Sequence, residues 1–287
     1  MFDFRYHALS IAAVFLALGI GIVLGVTIGD SLVSEADRNI RESLRGDVVD
    51  ARSDLRGVQA GLRRRDELIE TVLPQLAGRR LQRRRVALVA WGSLPEDVEA
   101  SVRDAVDAGD GDLESVSAFS DALSLADLEQ TLRGRFRGLA SDPDLLRAAG
   151  RRFGRSIVRG GPLVRLLERE FPERFRGDYR GVDAVAYYHS PDAGETLEDR
   201  DRDRRGELER AMVSGLREEN VPVVGVEETD TEPSQVPFYE DRDISSVDSI
   251  DTVGGQLALV LALGGARGSF GFKDGADRPI PELRRGG

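Results

Sequence analysis

Side chains that ligate soft metals or act as nucleophiles are scarce in this chain. Cysteine is absent, and the chain has two histidines, His7 and His189, and two methionines, Met1 and Met212. The absence of cysteine excludes disulfides, CxxC redox sites, thiolate nucleophiles and thiolate zinc sites. We therefore predict no metal site and no cofactor.

Polar side chains do follow three apolar runs that we interpret as strands. Ser93 follows the first run, His189 and Ser190 end the second, and Glu227 and Glu228 follow the third. Ser93 could meet a phosphate, but WGSLPED is neither a P-loop nor a GxGxxG motif and suits a helix start. His189 could be a general base, but no nucleophile elbow surrounds it, so a structural, hydrogen-bonded histidine is favoured. We assign no catalytic residue and predict that the protein is not an enzyme.

An α/β sheet would bring these polar residues to one edge. Continuous apolar runs at 86–91, 182–188 and 221–226 predict buried parallel strands, and 113–119 is a half-buried candidate. The intervening and following helical patterns cover 96–108, 122–136, 144–158, 163–171, 208–219 and 252–263. This alternation predicts a doubly wound (Rossmann-like), three-layer α/β domain over residues 86–263, followed by a Gly-rich mobile tail at 264–287.

The charges are divided unevenly along the chain. Residues 1–85 carry a formal charge of +3 and residues 86–287 carry −14. Such an acidic domain argues against general binding to a phosphate backbone, and we predict no nucleic-acid partner. Lys273 is the only lysine among 40 basic residues, a bias that we interpret as genomic.

An uncharged segment near the N-terminus is long enough to cross a membrane. Residues 8–28 contain no charged side chain and would span about 30 Å as a helix. A secretory signal has a shorter apolar region and a small-x-small cleavage site, so we favour an uncleaved anchor at 8–29 over a long signal peptide or a buried helix. Arg5 precedes the span and acids follow it, which predicts a cytoplasmic stub at 1–7 and an extracytoplasmic remainder.

Small residues recur at every fourth position of this span. They are Ala13, Ala17, Gly21, Gly25 and Gly29. This spacing places them on one stripe of a helix, where two backbones can approach closely, and we predict self-association there. The alternative is that glycine and alanine are simply common in such helices.

A heptad pattern follows the span. Nine of the ten residues at positions a and d are apolar, and Arg65 is the exception. The ten residues are Leu44, Val48, Ala51, Leu55, Val58, Leu62, Arg65, Ile69, Val72 and Leu76. With an S-x-x-D capping pattern at Ser34, this predicts a coiled coil at 34–77 that joins copies of the chain. The alternative is an amphipathic helix that packs on its own domain.

A basic segment, GRRLQRRR at 78–85, separates the heptads from the first strand. A patch for nucleic acid or anionic lipid is one interpretation. A solvated hinge, or a strip that docks on the acidic domain, is favoured because the domain that follows is strongly negative.

Both ends of the chain resemble a known family. The opening FRYHALSIAAVFLALGIGIVLG, and SVDSIDTVGGQLALVLAL with the Gly-rich tail after it, are similar to segments of the mycobacterial-type copper transport outer-membrane protein family, MctB. The family layout of membrane segment, coiled coil and α/β domain also matches. The resemblance implies an envelope protein of copper transport or homeostasis, placed in the outer membrane by the family description.

These observations lead to three hypotheses of function. The first is the implied role in copper homeostasis, as an oligomer without its own copper-ligand cluster, since copper favours thiolate, thioether and imidazole ligands. The second is a bitopic coiled-coil scaffold that recruits an envelope partner such as a wall-remodelling enzyme, and the third is an enzyme or ligand sensor. A helical span favours the inner membrane, because outer membranes normally carry β-barrels.

Overall fold

The computed structural model describes residues 4–120, 123–132, 134 and 136–282. Their backbone divides into two compact units, Met1–Arg65 and Asp66–Gly287. The helices are α1 (Phe4–Ala77), α2 (Glu96–Ala108), α3 (Leu125–Leu132), α4 (Pro143–Arg159), α5 (Pro162–Glu170), α6 (Asp199–Arg217), α7 (Val236–Glu240) and α8 (Val253–Leu263). The strands are β1 (Arg85–Trp91), β2 (Asp112–Phe119), β3 (Phe175–Gly177), β4 (Ala184–His189), β5 (Val223–Val226), β6 (Ser245–Val247) and β7 (Ser269–Phe270).

Helix α1 is one uninterrupted element. The sequence predicts two successive helices, with a new start at Ser34, but α1 continues through that position. The physical reason is that no proline or other strong helix breaker lies between Gly29 and Ser34, so nothing forces the chain out of helical dihedral angles there.

The strands form a single seven-stranded sheet in the order β3-β2-β1-β4-β5-β6-β7. β3 is antiparallel to β2, and the other neighbours are parallel. The order reverses between β1 and β4, because the chain continues from β1 to one side and later returns to the other. Loops diverge at such a point, which is where open α/β sheets usually bind ligands.

Both faces of the sheet are covered, as the continuous apolar strands require. Val86, Leu88 and Ala90 of β1 face one core with α2 and α8, whereas Val89 and Trp91 face the other core with α3 to α6. Trp91, the only tryptophan, is buried and stacks on Phe119, with ring centroids 5.5 Å apart.

The basic segment belongs to the second unit. Leu81 is fully buried, and its amide N–H donates to the carbonyl of Gly109 at the end of α2 (2.9 Å). Arg85 pairs with Glu114 (3.3 Å) and Asp178 (2.9 Å). Leu81 and Arg85 of this segment therefore contact the α/β domain directly.

The Gly-rich segment also contributes to the sheet. The sequence predicts that the α/β domain ends at residue 263, whereas β7 lies beyond this boundary and pairs with β6. Phe270 of β7 is buried in the core shared with α8. Residues 283–287 of the predicted tail lie outside the described residues.

Candidate functional site

The N-terminal part of α1 exposes its apolar side chains along its whole circumference. Residues Ala8–Gly25 have a mean hydropathy of 2.5, and none of them is buried within the chain. Within the predicted stripe, Ala13, Ala17, Gly21 and Gly25 are exposed, and a side chain added at either glycine would meet nothing within 4 Å. The surroundings of Gly29 lie outside the description. This segment is long and apolar enough to cross a membrane.

The heptad positions that the structure describes fall into two groups. Val48, Ala51, Leu55 and Val58 are exposed, whereas Leu76 is half-buried against the core shared by α2 and α8. The side chains of five further predicted seam residues lie outside the description; they are Leu44, Leu62, Arg65, Ile69 and Val72. Exposed apolar residues at a and d spacing are what a helical partner would cover.

The carboxyl ends of β1 and β4 bring two of the candidate residues together. The hydroxyl oxygens of Ser93 and Ser190 are 3.4 Å apart. Gly92 has a positive φ of 93°, and a Cβ there would lie 2.6 Å from the Cβ of Ser190. The loops that follow β1 and β4 therefore contact each other at the point where the strand order reverses.

The imidazole of His189 is hydrogen-bonded to a buried carboxylate. Its Nδ1 is 2.7 Å from Oε1 of Glu209, which also accepts a hydrogen bond from the hydroxyl of Tyr187 (2.5 Å). The imidazole of His189 stacks on the ring of Phe238, with the ring centroids 3.9 Å apart. The guanidinium of Arg242 also lies over the Phe238 ring, 3.4 Å from its centroid. Burial is the main cause, and the negative charge of Glu209 the second, that raises the pKa of Tyr187 well above its usual value. The phenol of Tyr187 therefore keeps its proton and donates it in the hydrogen bond to Glu209.

Glu227 is also occupied. Its carboxylate is completely buried and accepts hydrogen bonds from the ammonium of Lys273 (2.8 Å), the hydroxyl of Ser234 (2.9 Å) and the amide of Gln235. Its neighbour Glu228 is only partly buried, and burial followed by the charges of three nearby aspartates raises its pKa. His189 and Glu227 at the carboxyl edge of the sheet are thus hydrogen-bonded to other side chains of the protein.

Sequence reasoning missed the residues that fill this edge. Glu209 lies within a run of alternating charges, and no pattern distinguishes it from its exposed neighbours. Lys273 is distinguished in the sequence as the only lysine, but the rarity of lysine was interpreted as genomic bias. Asp248, which follows β6 and is fully buried, was not singled out.

The opposite edge of the sheet holds a cavity. Its volume is about 620 Å³, and it lies at the amino ends of β5, β6 and β7. Charged side chains of both signs line it, namely Arg217, Glu240, Asp243, Arg267 and Asp277. None of the residues that the sequence suggested as a site lies there.

Among the described residues, no group of three or more histidine, cysteine, aspartate or glutamate side chains is arranged to hold a metal ion. This concerns the described part of the chain only. Oxygen-rich surroundings such as those of Glu227 suit hard cations and are poor ligands for Cu(I).

The fold and these sites define a class: a chain with one helix apolar and long enough to span a bilayer, followed by a mixed α/β domain. A family model described as "Copper transport outer membrane protein, MctB" matches residues 1–165 and 180–281. The chain therefore belongs to the MctB family. A comparison with curated proteins finds no match.

Proposed function

We propose that this protein is a membrane-anchored cell-envelope protein of copper transport or homeostasis that acts as an oligomer. The observation that carries the proposal is the family match over nearly the whole chain, which includes the apolar helix as well as the α/β domain. Copper is the cargo in this proposal, in which the oligomer acts without a copper-ligand cluster of its own.

Oligomerisation is part of the proposal because one helix cannot enclose a pore. Passage of an ion would need helices from several copies, joined by the stripe of Ala13, Ala17, Gly21, Gly25 and Gly29. The heptads of residues 34–77 would continue the association as a coiled coil. The exposure of Val48, Leu55 and Val58 supports this arrangement, since apolar seam residues are normally covered.

The α/β part, which runs from β1 to β7, is in this proposal a doubly wound, Rossmann-like domain without catalytic activity and without a cofactor. Helices on both faces and the reversal of strand order between β1 and β4 support the fold assignment. The closed contacts at Ser93, His189 and Glu227 support a non-enzymatic role. The domain would contact other envelope proteins, and nucleic acid is not a partner.

The proposed topology places residues 1–7 in the cytoplasm, residues 8–29 in the membrane and the remainder outside the cytoplasm. Arg5 before the span and the acids after it support this orientation. The family description names the outer membrane. A helical span of this kind suits the inner membrane, where apolar helices are the usual spanning elements.

A copper assay tests the function. Deletion of the gene should change cellular copper content and copper tolerance, and expression of the wild-type chain should restore both. A variant with Gly21→Ile, Gly25→Ile, Leu55→Lys and Leu62→Lys should be inserted and yet fail to restore them. Unchanged copper content and tolerance after deletion would contradict the copper role and leave the bitopic scaffold as the better hypothesis.

Single cysteines test the oligomer, because the chain contains none. Leu55→Cys lies at a seam position and should give disulfide-linked dimers in membranes under oxidation. Ser53→Cys, two residues earlier on the outer face of the heptad, is the matched control and should remain monomeric. Equal crosslinking of both variants, or of neither, would contradict a coiled-coil seam.

A further inference from the structure

The segment after β7 folds back over the carboxyl ends of its neighbouring strands. We call residues 271–278 the latch. It closes on itself through the amide of Gly271, which donates to the carbonyl of Arg278 (3.1 Å), and the amide of Ala276, which donates to the carbonyl of Lys273 (3.1 Å). The latch is therefore an ordered loop with its own hydrogen bonds.

The first attachment of the latch is to Asp248, at the end of β6. This fully buried carboxylate accepts hydrogen bonds from the amides of Phe272 (2.7 Å) and Lys273 (3.1 Å) and from the hydroxyl of Ser249 (2.8 Å). Hydrogen bonds to a charged group are stronger than neutral ones. Asp248 thus fixes the latch backbone.

The second attachment is the side chain of Lys273. Its ammonium donates to Oε1 of Glu227 (2.8 Å) at the end of β5 and to the carbonyl of Thr231 (3.1 Å). Glu227 is fully buried and the side chain of Lys273 is only 19% exposed. With the latch in place, two carboxylates at this edge are withdrawn from solvent.

The identity of residue 273 is informative in so arginine-rich a chain. Thirty-nine of the 40 basic residues are arginine, so the composition alone favours arginine at any basic position. An ammonium is a compact charge with three donors, whereas a guanidinium is a broad planar fork. The ammonium of Lys273 donates to Glu227 and to Thr231 at the same time, which suits a compact charge with several donors.

A buried ion pair is weak evidence of a purely stabilising role. Apolar residues of similar volume are often equally or more stabilising than such a pair, because desolvation of two charges is costly. An ion pair between a loop and the carboxyl edge of the sheet is better suited to hold the loop closed over that edge than to stabilise the fold as a whole.

We propose that residues 271–278 form an intramolecular latch that closes the carboxyl edge of β5 and β6, held shut by the ion pair between Lys273 and Glu227. Release of the latch exposes Glu227 and Asp248 at the edge where parallel sheets bind ligands. A ligand of the α/β domain reaches this edge only after the ion pair opens.

Acylation of the single lysine tests the latch in the wild-type full chain, solubilised in detergent. The reagent is an N-hydroxysuccinimide ester of acetate, the readout is mass spectrometry, and the reference is a peptide of residues 269–278. Lys273 should react at least about tenfold more slowly in the protein, because a bond to a charged group can shift an opening equilibrium by that factor. Glu227→Gln should accelerate the reaction toward that of the peptide. Equal rates for wild type and peptide would overturn the proposal.

Hydrogen exchange tests the requirement for an ammonium. In Lys273→Met and Lys273→Arg, the backbone amides of Phe272 and Gln235 should exchange about tenfold faster than in the wild type. The reason is that loss of the ammonium bond to Glu227 shifts the equilibrium toward the open latch by about that factor. Arg278→Gln is the matched control, because it removes an exposed pair with Glu282 from the same loop, and it should change nothing. Wild-type exchange in either Lys273 variant would overturn the proposal. If those variants fail to fold, the acylation experiment on the wild type still decides.

Discussion

The two edges of one sheet differ sharply in this protein. At the carboxyl edge, four of the candidate side chains contact a polar neighbour: Ser93 and Ser190 contact each other, His189 bonds to Glu209, and Glu227 bonds to Lys273. At the amino edge, a polar cavity of about 620 Å³ stays open. The difference teaches that polar residues in the expected position are not accessible to a ligand while side chains of the same chain are bonded to them.

A pair of glycines gives the largest expected contrast between the two edges. Gly271 and Gly265 both have positive φ, 143° and 112°, but a Cβ at Gly271 would overlap the carboxylate of Asp248, whereas one at Gly265 would meet nothing within 4 Å. Gly271→Ala should lower the free energy of unfolding by about 4 kcal/mol, since strain adds to lost hydrogen bonds. Gly265→Ala should cost about 1–2 kcal/mol from the backbone alone. Calorimetry of the full chain in detergent measures both, and equal losses would contradict the contrast.

A pair of glutamates gives the next largest contrast. Glu209→Leu leaves the hydroxyl of Tyr187 and the imidazole of His189 without their buried acceptor, so it should cost about 2–3 kcal/mol. Glu240→Leu, at the exposed rim of the amino-edge cavity, should change stability by less than about 0.5 kcal/mol. The same calorimetry applies. Comparable effects would show that the carboxyl edge is no more tightly bonded than the amino edge.

The smallest expected effect concerns pH and sharpens the description of the carboxyl edge. The pKa of Glu228 is raised above 4.5 in the folded chain by burial and then by nearby aspartates. A carboxyl whose pKa is raised on folding adds stability below its unfolded pKa, and this stability is lost as pH rises through the folded pKa. Glu228→Gln should therefore unfold at a higher temperature than the wild type at pH 7, and the difference should shrink as pH falls below 4.5. A difference that is constant with pH would contradict the assignment.

Much of the α/β fold could be predicted from the sequence because its central elements are strongly patterned. The run at 86–91 became β1, and the helix predicted at 96–108 is α2. The short strands were missed: β6 and β7 have three and two residues and include Ser245, Ser246 and Ser269, so they lack an apolar run. Helix α6 begins at Asp199, whereas the sequence pattern predicts a helix at 208–219. The pattern missed the first half of the helix because the buried residues of α6 lie mostly in its second half.

The candidate site was less predictable, for a physical reason. Ser93 and Ser190 were expected at one edge, and the sheet does bring them together. Their partners come from distant parts of the chain: Glu209 from α6 and Lys273 from beyond β7. Whether a polar group is free or already bonded depends on such long-range contacts, which strand and helix patterns do not encode.

Trp91 has an optical consequence. It is the only tryptophan, it is buried at the carboxyl end of β1, and the guanidinium of Arg205 lies over its ring at 5.0 Å. Excitation at the red edge of protein absorbance therefore yields emission from one position of the whole chain. A shift of that emission to longer wavelength would report water entering beside β1, and it would do so without any label, for the purified protein in detergent or in a reconstituted bilayer.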